Sequence, residues 1–521
     1  MTTPRMPSST PRPVSILIAA LGGQGGGVLT DWIVAAAEHA GLAAQATSIP
    51  GVAQRTGATT YYLEVHPVAS GGPGAPRPVF SLYPTPGDVD VIIASEFLEA
   101  GRTLELDYAS PERTTLVAST HRLFAIGERT VLGDGVFPDA RLREAARALT
   151  RRTVAFDALA VARAAGSEVN AVLLGAFAAT GAVPIPDSAY EAAIRDGVAA
   201  ERNLAGFKAG RETVAVGTSL DPSPPAARPW PERRAERVAA LGRRGGTFLD
   251  LCTAAEAGLD PAVHATVGEA LARLIDYQDR RYAERCLALV RDVAALGGGP
   301  RLTERFARRL AVWATYEDAI RVADLKTRRA RFERIRTEQG APPGATLVVT
   351  DYLKPDLDEI YGILPAVIAR PIARWAERRW PEGRPTIGQH VRTTTVTGFL
   401  RVWLLARLRV LRPRSLRAER EWALIERWRA AVRAAAALDT DLAVEIVETA
   451  TIVRGYGEVR RRLAATFVRL LDEIAAPAID RDRAAGGDYA RSRALVAEAR
   501  RLVLTDENGI EAAVALAARP A

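Results

Sequence analysis

The sequence predicts an α/β fold, a Rossmann-like layered domain with a mostly parallel sheet, followed by a mainly α-helical domain. Three observations carry this. Between Val14 and about Gly210, short apolar runs alternate with amphipathic segments, as strands and helices wound around one sheet do. A Pro-rich stretch, "DPSPPAARPWPERRAE" (Asp221–Glu236), then interrupts the pattern, its prolines removing backbone donors and favouring an extended chain. Beyond it Ala, Leu, Arg and Glu recur at i, i+3, i+4, i+7 spacing, the helical period. A chain of 521 residues also exceeds the ~250–300 at which single cores stop growing, so at least two domains are expected. The expected division is a disordered tail over 1–12, an α/β domain over 13–210, a Pro-rich linker over 211–236 and a helical domain over 237–517.

Within the first domain the apolar runs place strands at Val14–Ala20, Ala44–Ser48, Thr60–His66, Val89–Ala94, Thr114–Ala118 and Thr153–Asp157. Between them "VLTDWIVAAAEHA", "DARLREAARAL" and "EVNAVLLGAFAAT" have helical spacing and Ala-rich propensity. "ASGGPGAPRP" (Ala69–Pro78) reads as a solvated hairpin connection between two strands.

Composition narrows the class. With 48% hydrophobic and 25% charged residues, the chain is globular rather than disordered or fibrous. Its net charge is +8 and its pI about 9.7, but the basic residues are almost all Arg and are matched along the chain by Asp and Glu. That pattern reads as a solvated Arg-rich surface, with no nucleic-acid footprint. Cys252 and Cys286 are too few for a disulfide framework or a four-Cys iron–sulfur cluster. The polar, Pro-rich start "MTTPRMPSSTPRP" does not read as a signal peptide, and no run approaches the ~20 apolar residues of a membrane span, so a cytoplasmic protein with no membrane contact is expected.

The chemistry-bearing stretch is Leu21, Gly22, Gly23, Gln24, Gly25, Gly26, Gly27, which joins the first strand to the first helix. A helix start aims backbone N–H groups outward, and glycines let a phosphate approach without Cβ contacts. The same glycines would equally serve a tight turn packing the helix on the sheet. A dinucleotide site would want an acidic residue after the second strand, where "ATSIPG" has none, and no Gly-Lys-Ser/Thr follows for a P-loop. A second element, "SIPGVAQRTGATTYYLEV" (Ser48–Val65), leaves the second strand with Gln54, Arg55 and Gly57. Parallel strands bring their C-terminal ends to one edge, where Arg55 could pair with an anion held by the glycine loop.

With both elements in place, the chain resembles the gamma domain of the 2-oxoacid:ferredoxin oxidoreductases and, within it, the beta subunits of indolepyruvate ferredoxin oxidoreductases. The family's G-G-Q-G signature matches Gly22–Gly25, and its S/A-Q-R-x-G loop matches Ala53–Gly57. "NAVLLGAFAATGAVPIP" (Asn170–Pro186) and "AERNLAGFKAG" (Ala200–Gly210) look like the family's usual closing part. The resemblance implies oxidative decarboxylation of an aryl 2-oxoacid with coenzyme A as substrate, with coenzyme A associated with Gly22–Gly27, Gln54, Arg55 and Gly57. It further implies a hetero-oligomer, in which a larger alpha subunit carries thiamine diphosphate, Mg and [4Fe–4S] clusters and electrons leave through ferredoxin. Two other readings stay open: a nucleotide- or flavin-binding module with a helical regulatory domain, and a structural assembly protein.

Other candidates weigh less. Gly133-Asp134-Gly135 opens like a thiamine motif, but "FDALAVARAAG" downstream lacks the Asn, so it reads as a turn. His39, His66, His121, His264 and His390 show no metal spacing, and no catalytic or metal-ligating residue is nominated. In the second half, "RVWLLARLRVLRPRSLRAERE" (Arg401–Glu421) reads as a helix burying Trp403, Leu404 and Leu408 while its Arg side chains snorkel. "IVRGYGEVRRR" (Ile452–Arg462) reads as a helix junction, and "DYLKPDLDEIYGILP" (Asp351–Pro365) has no role legible in its residues. Comparable "LKP" and "GYG" stretches occur in the extra helical region of long bacterial indolepyruvate oxidoreductases, a weaker resemblance.

Overall fold

The structure is a computed structural model that describes residues 12–49, 58–69, 78–124, 137–221, 228–338, 341–342, 344–381, 383–506 and 508–518. The expected tail, apart from Arg12, lies outside these residues. So do Gln54, Arg55, Gly57 and the Gly133-Asp134-Gly135 turn. The chain forms two compact units that divide at Arg228.

In the first unit, β1 (Val14–Leu21) leads into α1 (Gly26–His39), then β2 (Leu42–Ile49), β3 (Ala58–Ala69), β4 (Val91–Ala94), α2 (Phe97–Glu105) and β5 (Thr115–Ser119). α3 (Asp139–Leu149), β6 (Arg152–Phe156), α4 (Ala158–Ala165), α5 (Val169–Thr180), α6 (Asp187–Arg195) and α7 (Ala200–Val216) follow. The strands run β2-β3-β1-β4-β5-β6 across a single sheet. β4, β5 and β6 continue β1 in parallel, whereas β3 is antiparallel to both β1 and β2.

This order corrects one expectation. Ala69–Pro78 does not close a hairpin, because β3 and β4 flank β1 and never pair; the hairpin is β2–β3. Apolar periodicity marks a strand but not its neighbour.

Strand alternation sorts the core onto the two faces. Ile16 and Ile18 of β1 pack with Leu63 and Val65 against Leu29 and Ile33 of α1 and Leu174 and Phe177 of α5. Leu17 points the other way, with Tyr62, Ile92 and Leu116, against Phe97 and Leu104 of α2 and Leu142 of α3. Covered on both sides, the parallel strands read as continuous apolar runs. Among the described residues no single helix is long and apolar enough to cross a membrane.

α7 continues to Val216, and the next helix starts at Trp230 with a proline in its first turn, so helix enters the expected linker from both sides. Proline is tolerated there because the first-turn N–H has no intrahelical acceptor.

The second unit is mainly helical. Its core stacks Phe306 on Trp428 at 4.6 Å between ring centroids and sets Trp313 edge-on to Phe467. A two-stranded antiparallel ladder, β7 (Thr350–Leu353) with β8 (Gln389–Arg392), was not anticipated.

The Arg401–Glu421 expectation needs correcting as well. The helix Val396–Arg407 ends in short 3-10 turns around Pro413, and a new helix runs over Leu416–Ala436. Leu404 and Leu408 are exposed, while Val402, Ala406 and Arg412 are buried. The break rotates the face, and Arg412 points inward to a carboxylate instead of snorkelling.

Candidate functional site

At the carboxyl edge of the sheet, β1 and β4 part company. The chain leaves β1 through α1 on one face and leaves β4 through α2 on the other. This divergence makes the crevice between their ends a topological switch point, where open α/β sheets collect ligands. The glycine loop lines one side of it, Ser95 and Glu96 the other.

The loop's geometry separates its glycines. Gly23 has φ +93° with open space around it, and Gly25, the residue before α1, has φ +73°; both are in the left-handed region that disfavours side chains. A Cβ on Gly25 would lie 2.5 Å from Asn170 Nδ2, and one on Gly26 would lie 2.7 Å from the Tyr61 ring. These two glycines therefore admit α5 and β3 close to the loop. At Gly27 the nearest atom to a Cβ would be Tyr61 Oη at 3.5 Å, an ordinary contact. α1 starts with no side-chain cap and no acidic residue in its first turn. Its first-turn N–H groups and helix dipole thus favour an anion.

Gln24 has a definite task. Its Oε1 accepts from Leu21 N–H at 3.0 Å and from the Ser95 hydroxyl, so one amide ties the glycine loop to its own strand and to the end of β4 across the crevice. The turn is closed by Gln24 N–H donating to Leu21 O at 3.0 Å. Gln24→Ala removes both side-chain bonds and should cost about 1–2 kcal/mol of stability, at ~1 kcal/mol or somewhat less for each net hydrogen bond. Hydrogen exchange of peptides spanning 14–39 and 91–105 checks this; unchanged exchange there would show that the tie does not hold in solution.

Sequence reasoning missed the polar residues that follow the other parallel strands. Glu96 is fully buried; its carboxylate accepts from Glu99 N–H at 2.6 Å and Leu123 N–H at 3.2 Å, capping α2. Burial pushes its pKa up despite these donors. Ser119 Oγ lies 2.6 Å from His121 Nδ1 and accepts from Ala158 N–H at 3.0 Å, and burial lowers the His121 pKa. The available signal was positional: each is among the first polar residues after an apolar run. Their bonds make them anchors of the sheet edge, and the remaining histidines have other partners where bonds are described. His39 meets Asp196 at the surface and His264 bonds Leu259 O, for example.

Gly22–Gly27 are thus gathered at the edge where β2 ends and β3 begins. Gln54, Arg55 and Gly57, expected opposite them, belong to the stretch outside the described residues. β2 ends at Ile49 without an acidic residue. Among the described residues no cluster of His, Cys, Asp or Glu is arranged for a metal, and Cys252 and Cys286 are both buried with raised pKa values.

Residues 15–213 match the family described as pyruvate ferredoxin/flavodoxin oxidoreductase, and residues 263–473 match a family of unknown function, DUF6537. No curated protein matches the chain. Among solved structures it is similar to the gamma subunit of a keto/oxoacid ferredoxin oxidoreductase from Geobacter sulfurreducens, at 21% identity and a TM-score of 0.27, covering 39% of this chain and 99% of that one. It is similar to a 2-oxoglutarate:ferredoxin oxidoreductase from Magnetococcus marinus solved with 2-oxoglutarate, coenzyme A and succinyl-CoA, at 18% identity and a TM-score of 0.29, covering 40% of this chain and 32% of that one. A pyruvate oxidoreductase subunit from Thermotoga maritima is similar at 17% identity and a TM-score of 0.26, over 39% of this chain and 94% of that one. The glycine loop, Gln24 and the switch-point crevice all lie inside the stretch, residues 15–213, that matches the pyruvate ferredoxin/flavodoxin oxidoreductase family.

Proposed function

We propose that this chain is the beta (gamma-type) subunit of a cytoplasmic 2-oxoacid:ferredoxin oxidoreductase acting on indolepyruvate or a related aryl 2-oxoacid. Its first unit binds coenzyme A and completes the active site of a larger partner. The observation that carries this is the uncapped start of α1 at the switch point, within the stretch that matches the family. The first-turn N–H groups of Gly26, Gly27 and Val28 suit one end of a pyrophosphate, Gly27 keeps its approach free of a Cβ, and Arg55, which follows β2 in sequence and lies outside the described residues, would supply a countercharge. The missing acid after β2 disfavours a nicotinamide or flavin dinucleotide, which favours coenzyme A over those two.

The overall change is balanced as 2-oxoacid plus coenzyme A giving the acyl thioester, carbon dioxide, one proton and two electrons, the electrons passing to ferredoxin. Thiamine diphosphate with Mg, held by the partner, would supply the carbanion stabilisation that decarboxylation requires, and the partner's [4Fe–4S] clusters would carry the electrons. This chain's residues do other work. The α1 amides hold the coenzyme A phosphates by electrostatics and hydrogen bonds. Gln24 keeps the loop at a fixed height above β4, so the thiol arm is presented from a rigid support.

The test is reconstitution with the larger subunit that carries a thiamine motif and cysteine clusters. The pair should oxidise indolepyruvate with ferredoxin, and the isolated chain should not. Arg55→Ala in the complex should raise the KM for coenzyme A at least tenfold with kcat little changed. Turnover by the isolated chain would defeat the division of labour, and an unchanged KM would remove Arg55 from the site.

A further inference from the structure

"DYLKPDLDEIYGILP", whose role is not legible in its residues, and the helix junction "IVRGYGEVRRR" meet around one cavity of about 90 Å³ in the second unit. The space is several times the ~10–15 Å³ that one water requires. Four arginines line it, Arg417, Arg420, Arg460 and Arg461, against three carboxylates, Asp358, Glu359 and Glu421.

The carboxylates are already engaged. Glu421 accepts from Arg460 Nε at 3.1 Å, from Arg460 Nη2, and from Trp313 Nε1 at 2.9 Å. Asp358 accepts from Arg461 Nη1 and from Arg384 Nε at 3.3 Å. Glu359 Oε2 accepts from Asp356 N–H at 3.0 Å, completing a capping box at the helix Leu357–Gly362.

The guanidinium donors are not all used. Arg460 Nη1, Arg461 Nη2 and Arg417 Nε are buried without a hydrogen-bond partner among the described residues. Arg417 Nε lies 2.9 Å from Glu421 Oε1, but out of line for a hydrogen bond. Arg460 is 5% exposed, so bulk water does not supply what is missing. Buried donors in native proteins are nearly always paired, and arginine forks match planar or tetrahedral oxyanions.

The helix Gly457–Arg469 begins at the same cavity without a side-chain cap, with Glu458 in its first turn. Gly457 has φ +50°, and a Cβ there would sit 2.7 Å from Asp356 Oδ2, which accepts from Arg461 Nη1 at 3.3 Å. The tight "GYG" turn thereby holds Arg461 and its carboxylates against the helix start. We infer that this cavity is an oxyanion-binding site, in which the guanidiniums of Arg417, Arg460 and Arg461, with the start of the helix Gly457–Arg469, take a single carboxylate or phosphate group. The inference concerns the second unit alone and stands apart from coenzyme A binding in the first.

Calorimetric titration of the full chain with inorganic phosphate, and separately with acetate, at ionic strength fixed by chloride, tests it. Saturable binding of one equivalent is expected for at least one anion, and which one binds identifies the group the site takes. Arg461→Lys and Arg417→Lys keep the charge but lose the planar fork, and each should weaken binding at least tenfold. Absence of saturable binding of either anion to the wild-type chain overturns the proposal, as does wild-type affinity in both variants. Should the variants not fold, hydrogen exchange of the wild-type chain decides: anion-dependent protection of residues 357–362, 416–421 and 457–461 is expected, and protection only elsewhere overturns the assignment.

Discussion

Gly175→Ala should destabilise the first unit by about 3 kcal/mol, at the upper end of the ~1–3 kcal/mol usual for overpacking. A Cβ on Gly175 would lie 2.0 Å from Phe207 O and 3.1 Å from Arg211 N, both backbone atoms of α7. The contact is reciprocal, since a Cβ on Gly210 would lie 2.0 Å from Val172 O and 3.1 Å from Ala176 N. α5 and α7 therefore touch backbone to backbone through one glycine from each. No rotamer change relieves such a clash, because nothing at the far end of the contact is a side chain; the helices must separate. Separation would loosen Val172, Phe177 and Phe207, which are buried in the core of this face. Alanine's better helix propensity returns only ~1 kcal/mol.

Hydrogen exchange of peptides spanning 169–180 and 200–216 reads the loss locally, which matters in a chain with two units where one global midpoint is ill defined. Gly246→Ala is the control: this glycine is exposed, helical and has nothing within 4 Å of a Cβ, so the substitution should be neutral or slightly stabilising. Unchanged exchange in Gly175→Ala would mean that the two helices do not approach this closely in solution.

The same contact shows what could be read from the sequence. "NAVLLGAFAAT" announces a helix and its apolar character a buried one, and both follow from local pattern. That Gly175 faces Gly210 is a fact about two segments 35 positions apart, and no periodicity encodes it. The glycine loop divides in the same way. Its position between β1 and α1 was legible, whereas Gly25 and Gly26 owe their identity to Asn170 and Tyr61, which the fold brings in from distant sequence. Gln24 is legible as a member of the loop, but that its carbonyl is held by Ser95, 71 residues away, is not. The six strands were placed to within a few residues, β1, β4 and β5 most readily because strands covered on both faces need no polar face. Their order was not legible, since β3 inserts between β2 and β1 without altering any strand's own pattern. In the second unit, Arg412 was read as a snorkelling surface residue because its helix was assumed to continue past Arg407; the 3-10 break around Pro413 turned it inward.

That inward turn sets the other large expected effect. Arg412 is 2% exposed and grips Asp318 with two bonds, Nε to Oδ2 at 2.7 Å and Nη2 to Oδ1 at 3.0 Å. Nη1 donates to Tyr277 O at 3.0 Å and Gln278 Oε1 at 2.8 Å, and the guanidinium lies 4.2 Å from the centre of the Tyr277 ring. Burial alone would disfavour the charge, but the bonds to Asp318 and the surrounding tyrosines more than offset it, and the Arg412 pKa is raised. Asp318→Ala leaves this cation in place with no counterion, a change that costs about 3–5 kcal/mol in buried pairs. It also removes the cap that Oδ1 gives Arg321 N–H at 2.6 Å, worth about 1 kcal/mol more. Thermal unfolding of the second unit should then fall by roughly 10 °C or more, taking 2–4 °C per kcal/mol for a domain of this size. Asp318→Asn, which keeps an acceptor for the cap but not the charge, should fall between the two. Adding Arg412→Met to Asp318→Ala should recover part of the loss, because the penalty lies in the stranded charge and not in the missing bonds. If the double variant is no more stable than Asp318→Ala, the arginine is not buried as a charge.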